Sequence, residues 1–150
     1  MILKKSPVYF GTSLINLVDS TTCPGVKIDN RLSWSVHIDS VKKHFTQKVG
    51  ALKRMKILPK QSLEEIYFKS IILSVTYSIS VWGNCSPPAM NSLNSIHTRA
   101  SRIINNLQPS LADDICLNKS NWLPFSYFYR KSVLTLMRSE EHTSELQSQR

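Results

Sequence analysis

The stretch from Ser33 to Leu58, SWSVHIDSVKKHFTQKVGALKRMKIL, constrains the fold more than any other. Trp34, Ile38, Val41, Phe45, Val49, Leu52 and Met55 recur at steps of three and four, the period of one face of an α-helix. The spacing predicts a helix about 37 Å long, at a rise of about 1.5 Å per residue. Ser33 or Ser35 is placed to supply the N-cap oxygen, and Asp39 puts negative charge in an early turn. Leu58-Pro59 ends the helix, because the residue before a proline is pushed out of the helical region. Lys42, Lys43, Lys48, Lys53, Arg54, Lys56 and Lys60 lie between Asp39 and Glu64 without one intervening acid. Solvated faces usually mix signs, and this one does not. Lys42 and Lys53 are eleven residues apart, as are Lys43 and Arg54, so each pair nearly eclipses down the axis. The expectation is a core helix with one positive flank that meets nucleic-acid phosphate.

The rest of the composition agrees with an acidic partner. Lys+Arg number 19 against Asp+Glu 10, a net charge of +9 over 150 residues. Such a balance favours nucleic acid or an anionic surface, and a chain of this size buries enough surface for a real core. Cys23, Cys85 and Cys116 are odd in number and far apart, without Cys/His ligand spacing. Disulfide and zinc readings both fail, leaving reduced, mostly packed thiols in an intracellular protein, nuclear or cytoplasmic. The start, MILKKSPVYF, lacks the apolar core of a signal peptide. The most apolar run, Ile71 to Trp82, is too short to span a bilayer, so no membrane partner is expected.

Along the chain, Val8-Tyr9-Phe10, Leu14 to Val18 and Val26-Lys27-Ile28 read as short strands punctuated by Gly11, Asp19-Ser20 and Pro24-Gly25. They suggest a small hairpin leading into the basic helix. A second helix opens after Pro59, with Glu64-Glu65 in its first turn. Ser74 to Ser80 is compatible with a continued helix or an extended segment. Pro87-Pro88 starts a third helix with Met90, Leu93, Ile96, Ala100, Ile103 and Ile104 as its stripe. A short helix is expected at Leu111 to Leu117. A last helix starts near Pro124, with Phe125, Phe128, Tyr129, Val133 and Leu136 inward. From Arg138 the sequence is polar and without periodicity.

No catalytic constellation emerges. His37 and His44 lie seven apart with no third ligand near in sequence, and are expected packed or at the surface rather than on zinc. Trp34, Trp82 and Trp122 sit within apolar patterns and are expected in the core rather than stacked on bases. Ala112-Asp113-Asp114 spells a polymerase carboxylate motif, but its flanks lack the apolar strands of a palm hairpin. Acidic residues at a helix start are the ordinary explanation. The site expectation therefore contains no catalytic residue, no metal and no cofactor.

The order Gly25-Val26-Lys27-Ile28-Asp29, Leu32-Ser33-Trp34, His37-Ile38, Leu52-Lys53-Arg54, Leu58-Pro59, Ile66-Tyr67 continues with Tyr77 and Val81-Trp82-Gly83. Arg99-Ala100, Arg102-Ile103-Ile104 and Trp122-Leu123-Pro124 follow. Together these resemble the C-terminal part of a non-LTR (LINE-type) retrotransposon reverse transcriptase, over roughly Pro7 to Met137. The resemblance implies that residues 1–30 are a β-hairpin remnant of the palm, with Gly25, Val26 and Lys27 in the primer grip. It implies that residues 31–137 are a helical thumb-like domain. The family usually has Tyr-Leu before the glycine, where Cys23-Pro24 stand here. Its catalytic Ala-Asp-Asp precedes the primer grip, and none does here. Residues 138–150 resemble a translated sequencing-adapter oligonucleotide, which implies a non-native or disordered tail.

The expected fold is mainly α with a small N-terminal β-hairpin, a helical thumb-like bundle. The expected function is that of a non-catalytic fragment of an RNA-directed DNA polymerase. It would bind template–primer duplex, RNA–DNA or RNA, independently of sequence through Lys42, Lys43, Lys53, Arg54, Lys56 and Lys60. The missing palm would be its other partner. The alternatives are a basic helical protein-interaction module, or an accessory segment of a nucleic-acid-modifying enzyme.

Overall fold

The computed structural model describes residues 8–16 and 18–148, with side chains as far as Glu141. The fold is mainly α, with two small antiparallel strand pairs at the N-terminal end. Strands β1 (Val8–Phe10) and β2 (Ser13–Ile15) pair with each other, and β3 (Ser20–Cys23) pairs with β4 (Val26–Asp29). The single expected hairpin is thus two. The strand expected over Leu14 to Val18 is shorter, and Leu17 lies outside the described residues, as do residues 1–7 of the expected hairpin unit.

Pro24 and Gly25 form the two-residue turn between β3 and β4, since Cys23 and Val26 are register partners. Gly25 has φ +81°, the value demanded at the third position of a type II turn, with proline favoured just before it. Pro24 therefore removes no ladder hydrogen bond. Val26 is buried beneath α1 (Ser35–Arg54), against which β4 packs.

Helix α1 begins later and ends earlier than its apolar period suggested. Neither Ser33 nor Ser35 caps it. Trp34 is the N-cap residue, at φ 62°, with no side-chain cap. A tryptophan at positive φ is a conformation that must be held from outside. Asp29 holds it: its carboxylate accepts the backbone N–H groups of Arg31, Ser33 and Trp34 and the Ser33 hydroxyl. Those bonds, led by that from the Ser33 N–H, hold the Asp29 carboxyl below its usual range. Asp39 falls outside the first turn of the shortened helix. The chain leaves α1 after Arg54 in a turn that carries the Leu58 N–H onto the Met55 carbonyl, so Lys56 lies beyond the helix. Ile38, Phe45, Val49 and Leu52 are buried as the period requires.

Helix α2 (Lys60–Ile66) starts directly after Pro59, earlier than expected, which moves Glu64-Glu65 out of its first turn. It runs on through a π-helical stretch, Tyr67–Ile72, and the turn α3 (Leu73–Val75). The two readings of residues 74–80 resolve as helix, interrupted at Thr76–Ser78 and resumed as α4 (Ile79–Trp82). The widened turns let Tyr67, Ile71, Ile72 and Val75 all reach the core. Helix α5 (Pro87–Asn105) carries its prolines at the N-terminal positions and ends at Asn106 in the left-handed region. Helix α6 (Asp113–Ser120) lies slightly later than expected.

Helix α7 (Ser126–Ser148) runs through the polar stretch after Arg138 that was expected to lack regular structure. That stretch has no Gly or Pro and several good helix formers, so propensity carries the helix on where amphipathic periodicity ends. Leu136, expected inward, is exposed; of the thiols, expected mostly packed, Cys116 is buried, Cys85 half-buried and Cys23 exposed. Trp34, Trp82 and Trp122 are all buried.

Candidate nucleic-acid interface

The basic residues follow from the rotation of α1. At about 100° per residue, Lys43 and Arg54 form one row opposite the buried Phe45–Leu52 stripe. Lys42 and Lys53 form a second row roughly a quarter-turn away. Lys43, Lys53, Arg54 and Lys56 are exposed, and Lys42 is half-buried. Lys42 reaches Asp39 at 4.0 Å, and Lys60, exposed at the start of α2, reaches Glu64 at 3.7 Å. Both are solvent-screened pairs of small worth. Among the described residues, Lys43, Lys53, Arg54 and Lys56 have no carboxylate within 4.0 Å. The helix thus brings four of the six expected cations together on two neighbouring rows, while Lys56 lies in the connection that follows and Lys60 begins α2.

The residues expected in the primer grip are tied to the helical body. Gly25 forms the turn, Val26 anchors it, and the Lys27 backbone N–H donates to His37 Nδ1 at 3.2 Å. His37 is 6% exposed and packs edge-on against Trp82, with ring centroids 5.4 Å apart. Burial, and secondarily the charge of Lys27, hold its imidazole below the ordinary histidine range.

Ala112-Asp113-Asp114 sits at the start of α6. Asp113 Oδ1 accepts from Arg102 Nη2 at 2.6 Å, and the same nitrogen donates to the Leu111 carbonyl at 2.6 Å. The Arg102–Asp113 pair closes the α5–α6 corner. Among the described residues no group of three or more His, Cys, Asp or Glu is placed to hold a metal ion, and no helix is long and apolar enough to cross a membrane.

Two polar features go beyond the sequence reading. His97 is fully buried, with the Tyr67 hydroxyl 2.5 Å from Nδ1 and Nε2 3.0 Å from the Leu123 carbonyl. A carbonyl only accepts, so Nε2 carries the proton and Nδ1 accepts from Tyr67. Burial holds His97 down to about 4 and pushes the Tyr67 phenol well above its usual range. Trp122 stacks on Tyr67 at 4.8 Å, so these residues tie the π-helical stretch, α5 and the α6–α7 connection together. The second feature is that Lys48 joins the expected His37–His44 pair in one row on α1, with His37 buried and His44 exposed, as expected of packed and surface histidines. Its spacing of seven and eleven was the available signal, and it lines a cleft on the side of α1 away from Lys42 and Lys53.

No protein-family model, curated protein or solved structure matches this chain.

Proposed function

We propose that the chain is a non-catalytic, duplex-binding fragment of a retroelement RNA-directed DNA polymerase, gripping RNA–DNA or RNA duplex through backbone phosphates. The observation that carries this reading is the set of exposed cations Lys43 and Arg54 on one row of α1, Lys53 on the neighbouring row and Lys56 just past the helix, with no carboxylate in reach among the described residues. The rise from Lys43 to Arg54 is about 16 Å, a span over which a duplex backbone presents several phosphates. Side chains of this kind position a duplex without reading its bases. An intracellular location goes with this reading.

The interaction-module alternative also has an observation in its favour. Val8, Tyr9, Phe10, Leu14 and Ile15 on the β1–β2 hairpin are all exposed, and an apolar group of this kind marks a protein contact. In the polymerase reading that contact is the palm of the parent chain.

Salt dependence separates the two. With Lys42, Lys43, Lys53 and Arg54 all engaged, log K for a random-sequence RNA–DNA hybrid should fall with log salt at a slope of about −3.6, near 0.9 per phosphate. Changing all four to Ser should flatten the slope and leave the fold intact, since none belongs to the buried stripe. Equal affinity and slope for both proteins would remove α1 as the contact surface.

A further inference from the structure

On the side of α1 away from Lys42 and Lys53 lies a cleft of about 390 Å³, within the size range of small-ligand pockets. His37, Ser40, His44 and Lys48 form one wall, and Ser74 and Tyr77 face them from α3 and the turn after it. Gly25, at the tip of the β3–β4 hairpin, lies at its edge, with the Tyr77 ring 3.5 Å from where a Cβ would stand. No Asp or Glu lines it. Lys48 Nζ donates a hydrogen bond to the Ser74 hydroxyl, which in turn donates to the Ile71 carbonyl. His37 Nδ1 is occupied by the Lys27 N–H, so its proton sits on Nε2, a buried donor without an acceptor among the described residues. Val41 and Val75 complete the lining, so the polar groups that reach the cleft are Ser40, His44, Lys48 and Tyr77, with positive charge at Lys48 and no compensating carboxylate. The ligand it complements is an oxyanion.

We propose that this cleft binds one phosphate group, held by Lys48 and His44 beside the hairpin tip. The proposal deepens the duplex-binding reading, and rests on it only for the source of the phosphate. A lysine and a histidine one helical turn apart reach the same group, and Ser40 and Tyr77 add hydroxyl donors, while Ser74, whose own proton is committed to the Ile71 carbonyl, orients Lys48. The Lys43–Arg54 row lies roughly a third of a turn away, so the cleft and the outer flank make separate contacts.

The test uses the full chain, the Lys48→Gln/His44→Gln variant and the four-serine flank variant. Gln at position 48 keeps a donor for Ser74, and melting curves verify that the variants fold. Inorganic phosphate in the millimolar range should shift the His44 imidazole NMR resonances of the native chain. Phosphate should likewise perturb the Tyr77 ring resonances of the native chain but not of the double variant. Affinity for an RNA–DNA hybrid should fall about tenfold in the double variant, the size of one charge-assisted contact. A fall seen with and without a 5′-phosphate assigns an internal diester. A fall confined to the 5′-phosphorylated hybrid assigns a terminal phosphate, and a response to inorganic phosphate alone assigns a free one. No phosphate response in the native chain, or an equal one in the double variant, overturns the site. If the four-serine variant binds hybrid like the native chain while the cleft variant does not, the flank reading falls and the cleft stands.

Discussion

His97 sits in an environment that fixes a sign for acid stability. Its folded pKa is held to about 4 against an ordinary 6.5. Above pH 6.5 the imidazole is neutral in both states and adds no pH dependence. As pH falls from 6.5 toward 4, the unfolded chain takes up a proton that the folded chain refuses, so stability is lost, by roughly 3 kcal/mol across the window. Burial of His37 acts in the same direction. Urea unfolding at pH 7 and pH 4.5 should show this loss in the native chain and much less of it in His97→Gln, which is itself destabilised at pH 7. Equal losses in both chains would exclude the buried imidazole as the source. The contrast with Phe45 shows what sequence reveals at this scale. Phe45 stands in a helical period with Ile38, Val49 and Leu52, so its burial is legible from local spacing. The partners of His97, Tyr67 and the Leu123 carbonyl, lie 30 and 26 residues away, and no local pattern announces them. The positive φ of Trp34 was hidden likewise, because the Asp29 carboxylate that supports it belongs to the preceding strand.

At the scale of elements, hydrophobic period located the helices and misjudged their ends. The apolar stripe of α1 continues to Met55, but the helix stops at Arg54 because the chain must turn to present Leu63 and Tyr67 to the same core. Helix α7 shows the reverse, persisting past its stripe on propensity alone. The seam between α4 and α7 depends on a glycine. A Cβ on Gly83 would stand 2.3 Å from the Tyr129 ring and 2.5 Å from the Ile79 carbonyl oxygen. The ring belongs to a half-buried side chain and the oxygen to backbone, so neither gives way cheaply. Gly83→Ala should cost about 1–3 kcal/mol through overpacking, read as a lower melting temperature. It should be partly rescued by Tyr129→Ala, which removes one of the two clashes. An unchanged melt for Gly83→Ala would mean that α7 does not seat on α4 as described. Val81-Trp82-Gly83 thus has a packing role of its own: Trp82 is fully buried and donates its indole N–H to the Tyr77 carbonyl at 2.8 Å.

For the whole molecule, the decisive contrast is between the two hairpins. The β3–β4 pair is fastened to the helical body by buried Val26, by the Lys27–His37 hydrogen bond and by the Asp29 corner. The β1–β2 pair buries none of its described side chains. A two-stranded hairpin is marginal in water without such support, and its exposed strands offer unpaired backbone to other chains. Removing residues 1–18 should therefore leave the melting of the body within about 0.5 kcal/mol of the full chain, as for changes at unpacked surface. The truncated chain should retain hybrid binding with the same salt slope, since the cations of α1 are untouched. It should also lose any concentration-dependent self-association, measured by sedimentation velocity, because the exposed Tyr9 and Phe10 go with it. Each result bears on a different reading. Binding that survives truncation agrees with a phosphate-gripping helical body. Binding that disappears with the hairpin, while the fold persists, would move the contact surface from α1 to the strands. A large loss of stability would show that β1–β2 is part of the folded core, against the exposure of every side chain described on it.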